Sequence, residues 1–189
     1  MLKRCIGVDP GSESSGVCVV DDRSIIAAFN VKNDLFFSKV SNFLIHPCCR
    51  VAVEAIRPYS LRLTQQVIET CQWIGEAKFR LENGSGLNVE LVPRNIVKKW
   101  VFDTFPKICV PKIEEKIKKK GYIAKSTGRP ISPSFVFVDD RLVTEAMKDM
   151  YGIENPQPGK GYQYGLKSHT FQALALASYV ISTEDPTRP

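Results

Sequence analysis

Cys5-Ile6-Gly7-Val8-Asp9-Pro10-Gly11-Ser12-Glu13-Ser14-Ser15-Gly16-Val17-Cys18-Val19-Val20 sets the architecture of this chain. Cys5 to Val8 and Gly16 to Val20 are short runs rich in Val and Ile, parted by Pro10-Gly11-Ser12. A third run, Ser24 to Val31, follows Asp21-Asp22-Arg23. Branched apolar runs broken by turn residues read as strands, which predicts a three-stranded meander. Outward from it, strand and helix patterns alternate. A helical segment fits Asp34 to Ile45, and Arg50 to Glu54 is a compact strand ending in a carboxylate. Ser60 to Glu82 reads as a long amphipathic helix with Val67, Cys71, Ile74 and Leu81 inward, closed by Asn83-Gly84. Val89 to Val92 is the next strand, with Pro93-Arg94 leading into a helix from Asn95 to Phe102. Asp139 or Asp140 caps a helix through Met150, ended by Gly152, and Ser168 caps a last helix to about Ile181. A meander followed by strand–helix units predicts an α/β fold on a mixed sheet with helices packed on it.

Composition narrows the function classes. The 189 residues, 43% apolar and 24% charged, have average globular make-up and the size of one domain. No run approaches the roughly 18 apolar residues of a membrane span, and Asp9 interrupts the start before a signal-peptide core forms, so a cytoplasmic protein is expected. The six cysteines (Cys5, Cys18, Cys48, Cys49, Cys71, Cys109) form no C-x-x-C pair. With Cys5, Cys18 and Cys71 inside apolar patterns, they read as reduced core thiols. The net charge is +6, and the excess is concentrated. Between Arg94 and Arg129 lie eleven basic residues, Lys118-Lys119-Lys120 among them, against three acids. Prolines at 106, 111, 130 and 133 and glycines at 121 and 128 mark about 106–138 as an irregular basic excursion. The run is either a solvated face or, beside Trp100, Phe102 and Tyr122, a surface for a phosphate backbone.

The acids fall at strand exits. Asp9 leaves the first strand and Glu54 the fourth, so the two carboxylates meet if those strands are neighbours. Taken singly, an Asp before Pro-Gly is an ordinary turn residue and a Glu after a strand an ordinary surface group. His169 and Gln172, three apart, share a face of the last helix. Carboxylates and an imidazole converging on one point suit a divalent cation, and phosphodiester hydrolysis is the chemistry that needs one.

Four motifs then carry a resemblance. Ile6-Gly7-Val8-Asp9-Pro10-Gly11-Ser12 with Ser15-Gly16-Val17 resembles the first active-site motif of the RuvC family of Holliday-junction resolvases. Val51-Ala52-Val53-Glu54 is similar to its second, and Val92-Pro93-Arg94-Asn95-Ile96-Val97-Lys98-Lys99 to its Pro-x-x-Val-Lys helix start. His169-Thr170-Phe171-Gln172-Ala173-Leu174-Ala175-Leu176-Ala177 resembles its closing helix. The order holds over nearly the whole chain apart from the basic insertion. The resemblance implies a single nuclease domain with the ribonuclease H-like fold, a mixed five-stranded sheet with helices on both faces. It further implies a homodimeric, Mg²⁺- or Mn²⁺-dependent endonuclease that cuts four-way or other branched DNA. By position, Asp9, Glu54 and His169 are the expected catalytic and metal-binding groups. Gln172 stands where the pattern has Asp, so one metal position lacks a charge unless Asp139 or Asp140 supplies it. Lys98 and Lys99 are expected on the phosphate backbone with Lys118, Lys119 and Lys120. Arg57 is expected as a phosphate contact and Tyr59 as a wedge at the junction centre.

Two other readings compete. The neutral Gln172 suits a branched-DNA-binding protein on the same fold that cuts weakly or not at all. An actin-like phosphotransferase shares an Asp-x-Gly strand turn but needs a second glycine-rich phosphate loop, which the sequence lacks.

Overall fold

The computed structural model describes residues 3–22, 24–46, 49–56, 64–123, 131–153 and 166–183. The meander is there: β1 (Arg4–Asp9), β2 (Ser14–Asp21) and β3 (Ser24–Lys32) pair antiparallel in sequence. A 3-10 turn leads into α1 (Phe36–Leu44), after which β4 (Cys49–Ala55) returns parallel to β1. α2 (Gln65–Ser85) crosses over to β5 (Val89–Pro93), parallel to β4. The sheet order is β3-β2-β1-β4-β5. α3 (Arg94–Thr104), α4 (Pro106–Lys120), α5 (Asp140–Tyr151) and α6 (Ser168–Thr183) follow. This is the mixed five-stranded α/β sheet expected.

Strand alternation divides the interior into two cores. Ile6, Val8, Val17, Val19, Val51 and Val53 point to one face, where α1 and α2 bring Phe36, Val40, Trp73 and Leu81. Cys5, Cys18 and Ala52 point to the other, under α3 to α6. Helices therefore cover both faces. Among the described residues no helix is long and apolar enough to cross a membrane.

Three details depart from the sequence reading. Cys71 is exposed rather than a core thiol, because α2 turns Trp73, Ile74 and Ala77 inward instead. Trp73, absent from the inward stripe expected, packs edge-on against Phe36, with ring centroids 5.3 Å apart. Residues 106–120 are not irregular either. Pro106 sits at the first turn of α4, where its missing N–H costs no bond, and Pro111 is carried inside the helix. An interior proline costs about 3 kcal/mol. Burying Ile113 and Ile117 in one stripe with Cys109 returns roughly 1.5–3 kcal/mol for each isoleucine, so packing outweighs propensity.

α6 is the helix that positions the site. It is apolar nearly all round and lies directly on β1 and β2. Glycine makes that approach possible: a Cβ on Gly7 would stand 2.0 Å from the Ala173 carbonyl oxygen, and one on Gly16 2.6 Å from the His169 carbonyl carbon. Gly7→Ala should accordingly lower stability by about 1–3 kcal/mol, which thermal denaturation would read as a fall in Tm of roughly 2–10 °C. An unchanged Tm would show that α6 does not rest on that strand.

Candidate active site

Three neighbouring strand ends and α6 build the site. Val8 pairs with Val53 in parallel register, so Asp9 and Glu54 are the next residues of each strand, and Glu54 in turn pairs with Val92. Parallel neighbours lie about 4.8 Å apart. Because Val8 and Val53 face the α1–α2 core, alternation turns both Asp9 and Glu54 toward α6. The convergence expected of these two carboxylates follows from strand pairing alone.

Both are nearly buried, 5% and 8% exposed. Burial pushes both carboxyl groups above their ordinary range, Glu54 to about 7, with Asp9 and Asp140 adding to its rise and Arg94 and Lys98 opposing it. Asp9 is held back by His169, whose Nδ1 lies 2.8 Å from Asp9 Oδ2 on a ring that is itself 70% exposed.

Arg94 stands among the acids. Its Nη1 is 3.4 Å from Glu54 Oε1 and its Nη2 is 2.8 Å from Asp140 Oδ1. Burial would lower its pKa, but Glu54, Asp140 and Asp9 together raise it. Lys98 Nζ is 3.8 Å from Asp140 Oδ1, and burial with Arg94 beside it holds its pKa below the ordinary lysine value.

The two acids left open in the sequence now separate. Asp139 is the N-cap of α5, with Oδ1 accepting from the Leu142 amide at 3.1 Å and Oδ2 held by Lys116 at 3.1 Å. Asp140, one residue on, turns to Arg94 at the site. Gln172 is buried one turn after His169, and its Nε2 donates to the Asp140 main-chain oxygen at 3.4 Å. Lys99 lies apart from the carboxylates, exposed and paired with Asp103. Lys119 and Lys120 line a groove of about 400 Å³ with Lys112, Lys116 and Arg141, and Lys118 is not part of that lining. Arg57 and Tyr59 lie outside the described residues.

Two contributors escaped the sequence reading as site residues. Arg94 was read only as part of the helix-start motif and of the basic run, although its place at the exit of the strand beside Glu54 was the available signal. Asn33 had no signal. Its side chain accepts from Ser15 Oγ at 2.8 Å and donates to the Gly11 and Ser12 carbonyls at 2.9 and 3.1 Å, knotting the turn that follows Asp9.

The donors suit a hard divalent cation. Two adjacent carboxylates whose ionised forms burial disfavours gain from a cation between them, and an amide oxygen is a compatible further ligand. Among the described residues no three His, Cys, Asp or Glu groups form a cage of their own. Mg²⁺ does not require one, because it binds through one or two carboxylates and completes its shell with water and phosphate oxygens.

Comparison with solved structures places the fold. The chain superposes on Thermus thermophilus RuvC in complex with a Holliday junction substrate with a TM-score of 0.59 and 16% identity, covering 96% of this chain and 95% of that one. A second Thermus thermophilus RuvC structure gives 0.55 and 18%, with 97% of each chain covered. The fold is thus the ribonuclease H-like fold of RuvC. No family model matches the chain, and no curated protein matches it significantly.

A pH dependence follows from Glu54 and its charged neighbours Asp9, Asp140, Arg94 and Lys98. The unfolded chain releases the Glu54 proton near 4.5 and the folded chain near 7, so the folded state holds the extra proton between those values. Stability in EDTA should fall as pH rises across that window and then level off, a loss of up to about 3 kcal/mol. Asp9, also raised, adds in the same direction. Glu54→Gln leaves Arg94 paired with Asp140 and should flatten the slope, being more stable than the parent at pH 8 and equal to it near pH 4. Urea titrations at both pH values check this, and a parent whose stability rises from pH 5 to 8 would contradict it.

Proposed function

We propose that the chain is a divalent-metal-dependent endonuclease that cuts Holliday junctions or related branched DNA by phosphodiester hydrolysis. The observation that carries this reading is the pair of buried carboxylates, Asp9 and Glu54, side by side on adjacent parallel strands and flanked by Arg94 and Lys98. The RuvC fold and the four motifs support it.

Asp9 and Glu54 would hold Mg²⁺ or Mn²⁺, with the Gln172 amide oxygen as a further donor, water and phosphate oxygens completing the shell, and His169 beside Asp9 outside it. Such an ion supplies charge for the scissile phosphate and a more acidic water. Arg94 presents a planar fork that can exchange a carboxylate partner for two phosphate oxygens, and Lys98 adds a point charge beside it. Asp9 anchors His169 through Nδ1, which orients the ring and leaves Nε2 to take a ligand or carry a proton. The near-complete burial of both carboxylates keeps bulk water from screening these charges. The groove lined by Lys119, Lys120, Lys112, Lys116 and Arg141 begins beside Asp139, next to the site residue Asp140, and suits the sugar–phosphate backbone of an adjoining arm.

Gln172 favours a second reading, a protein that binds branched DNA but cuts it weakly, because its amide brings no charge and is engaged with α5. A homodimer suits a substrate with paired scissile bonds. α2 offers Ile68 and Phe79, both exposed, as apolar contacts. Sedimentation at micromolar concentration should then give twice the chain mass, and a monomer would count against the pairing.

The deciding assay is nicking of a synthetic four-way junction with Mg²⁺ and with Mn²⁺. Asp9→Asn and Glu54→Gln should bind the junction as the parent does while cutting at least about a hundredfold more slowly. Gln172→Asp should cut faster than the parent if the missing charge limits the rate. Parent-like cleavage by both acid variants would remove these residues from the chemistry.

A further inference from the structure

The two strand-end carboxylates are not held alike. Asp9 is the last residue of β1, its pairing with Gly16 is the last of that ladder, and toward β4 the pairing stops at Val8. Glu54 lies one pair further in, because Ala55 still pairs with Pro93 beyond it. The end of a ladder is where strands fray first. A carboxylate that serves a cation and keeps His169 at 2.8 Å must nonetheless hold its place to within about 0.5 Å. Order has to come from beyond the strand, and Pro10 to Glu13 is a connection outside any strand or helix.

Asn33, the first residue after β3, supplies that order. Its main-chain N–H donates to the Glu13 carbonyl at 2.9 Å, and its Nδ2 to the Gly11 and Ser12 carbonyls at 2.9 and 3.1 Å. Three successive carbonyls of the turn therefore end on one residue. At the far end of the turn, Ser15 Oγ donates to Asn33 Oδ1 at 2.8 Å. Ser15 is buried, and the Gly16 beside it carries the backbone of His169. The turn has little slack, since a Cβ on Gly11 would stand 2.5 Å from the Ser14 carbonyl oxygen. It needs two donors and an acceptor in one short planar group, whereas an ionised Asp would bring no donor and a Ser only one. We propose that Asn33 is a positioning residue for the Asp9–His169 pair, clamping the β1–β2 turn at both ends so that carboxylate and ring keep one alignment. It bonds to neither of them and acts through the turn. The inference rests on the cation-binding reading of Asp9 above and adds to it the residue that prepares that carboxylate.

The test needs no DNA and has two readouts. The first is the His169 ring tautomer in EDTA at pH 8, from ¹H–¹⁵N NMR, which is simple to assign because His46 is the only other histidine. The second is Mn²⁺ affinity by electron paramagnetic resonance. In the parent, Asp9 accepts from Nδ1 and should hold the ring in its Nδ1–H form. Asn33→Ala should shift the ring away from that form and weaken Mn²⁺ about tenfold, the usual effect of losing a group that orients a ligand. Ser15→Ala, which removes one bond of the clamp, should move both readouts less and in the same direction, and it decides the matter if Asn33→Ala fails to fold. Val89→Ala removes buried apolar volume at the end of β5 away from the site. It should lower Tm and leave both readouts as in the parent. Parent-like tautomer and affinity in the clamp variants, or an equal loss in Val89→Ala, would overturn the proposal and leave Asn33 a stabiliser of the fold alone. A parent that binds no Mn²⁺, with a tautomer that still depends on Asn33, would overturn the metal reading and uphold the clamp.

Discussion

α6 rests its backbone on β1 and β2 at Gly7 and Gly16, with no room for even one methyl group at either contact. His169 is part of the Gly16 contact and holds the carboxylate at the end of β1. Gln172, one turn further on, reaches α5. A helix held off the sheet by ordinary side chains would carry both residues away from Asp9. The face of α6 that meets β1 accordingly carries Ala173 and Ala177, one turn apart, whose small side chains permit the approach.

The electrostatics follow from that closeness. Burying two carboxylates on neighbouring strands is unfavourable, as the upward shift of both shows, and the fold answers with one arginine shared between Glu54 and Asp140. Arg94 thereby ties β4 to the start of α5. Charge compensation and the start of α3 meet at the β5 exit.

Much of this was legible because it is local. Branched apolar runs and turn residues marked all five strands, and Asp9 and Glu54 stood at strand exits that meet if those strands are neighbours. Asp139 as a cap and Gly152 as a stop follow from side-chain and backbone preferences within one turn. Where several local signals disagreed, the sequence misled. Pro111 and the lysines of α4 outvoted the Cys109–Ile113–Ile117 stripe, although burial of that stripe is what keeps the segment helical. Cys71 and Trp73, two apart on one helix, cannot share an inward face, and only the docking of α2 on Phe36 chose between them.

The chain order of residues was enough to name the acids, because a carboxylate at a strand end is written in the pattern of its own strand. It was not enough to show that Arg94 serves Glu54 and Asp140, that Asn33 knots the turn behind Asp9, or that Asp140 rather than Asp139 turns to the site. Each of those contacts joins residues 18 to 46 positions apart. They exist only once β2 has paired with β3, β4 with β5, and α5 has packed on α6, since hydrogen-bond reach depends on distance in space and not on separation along the chain.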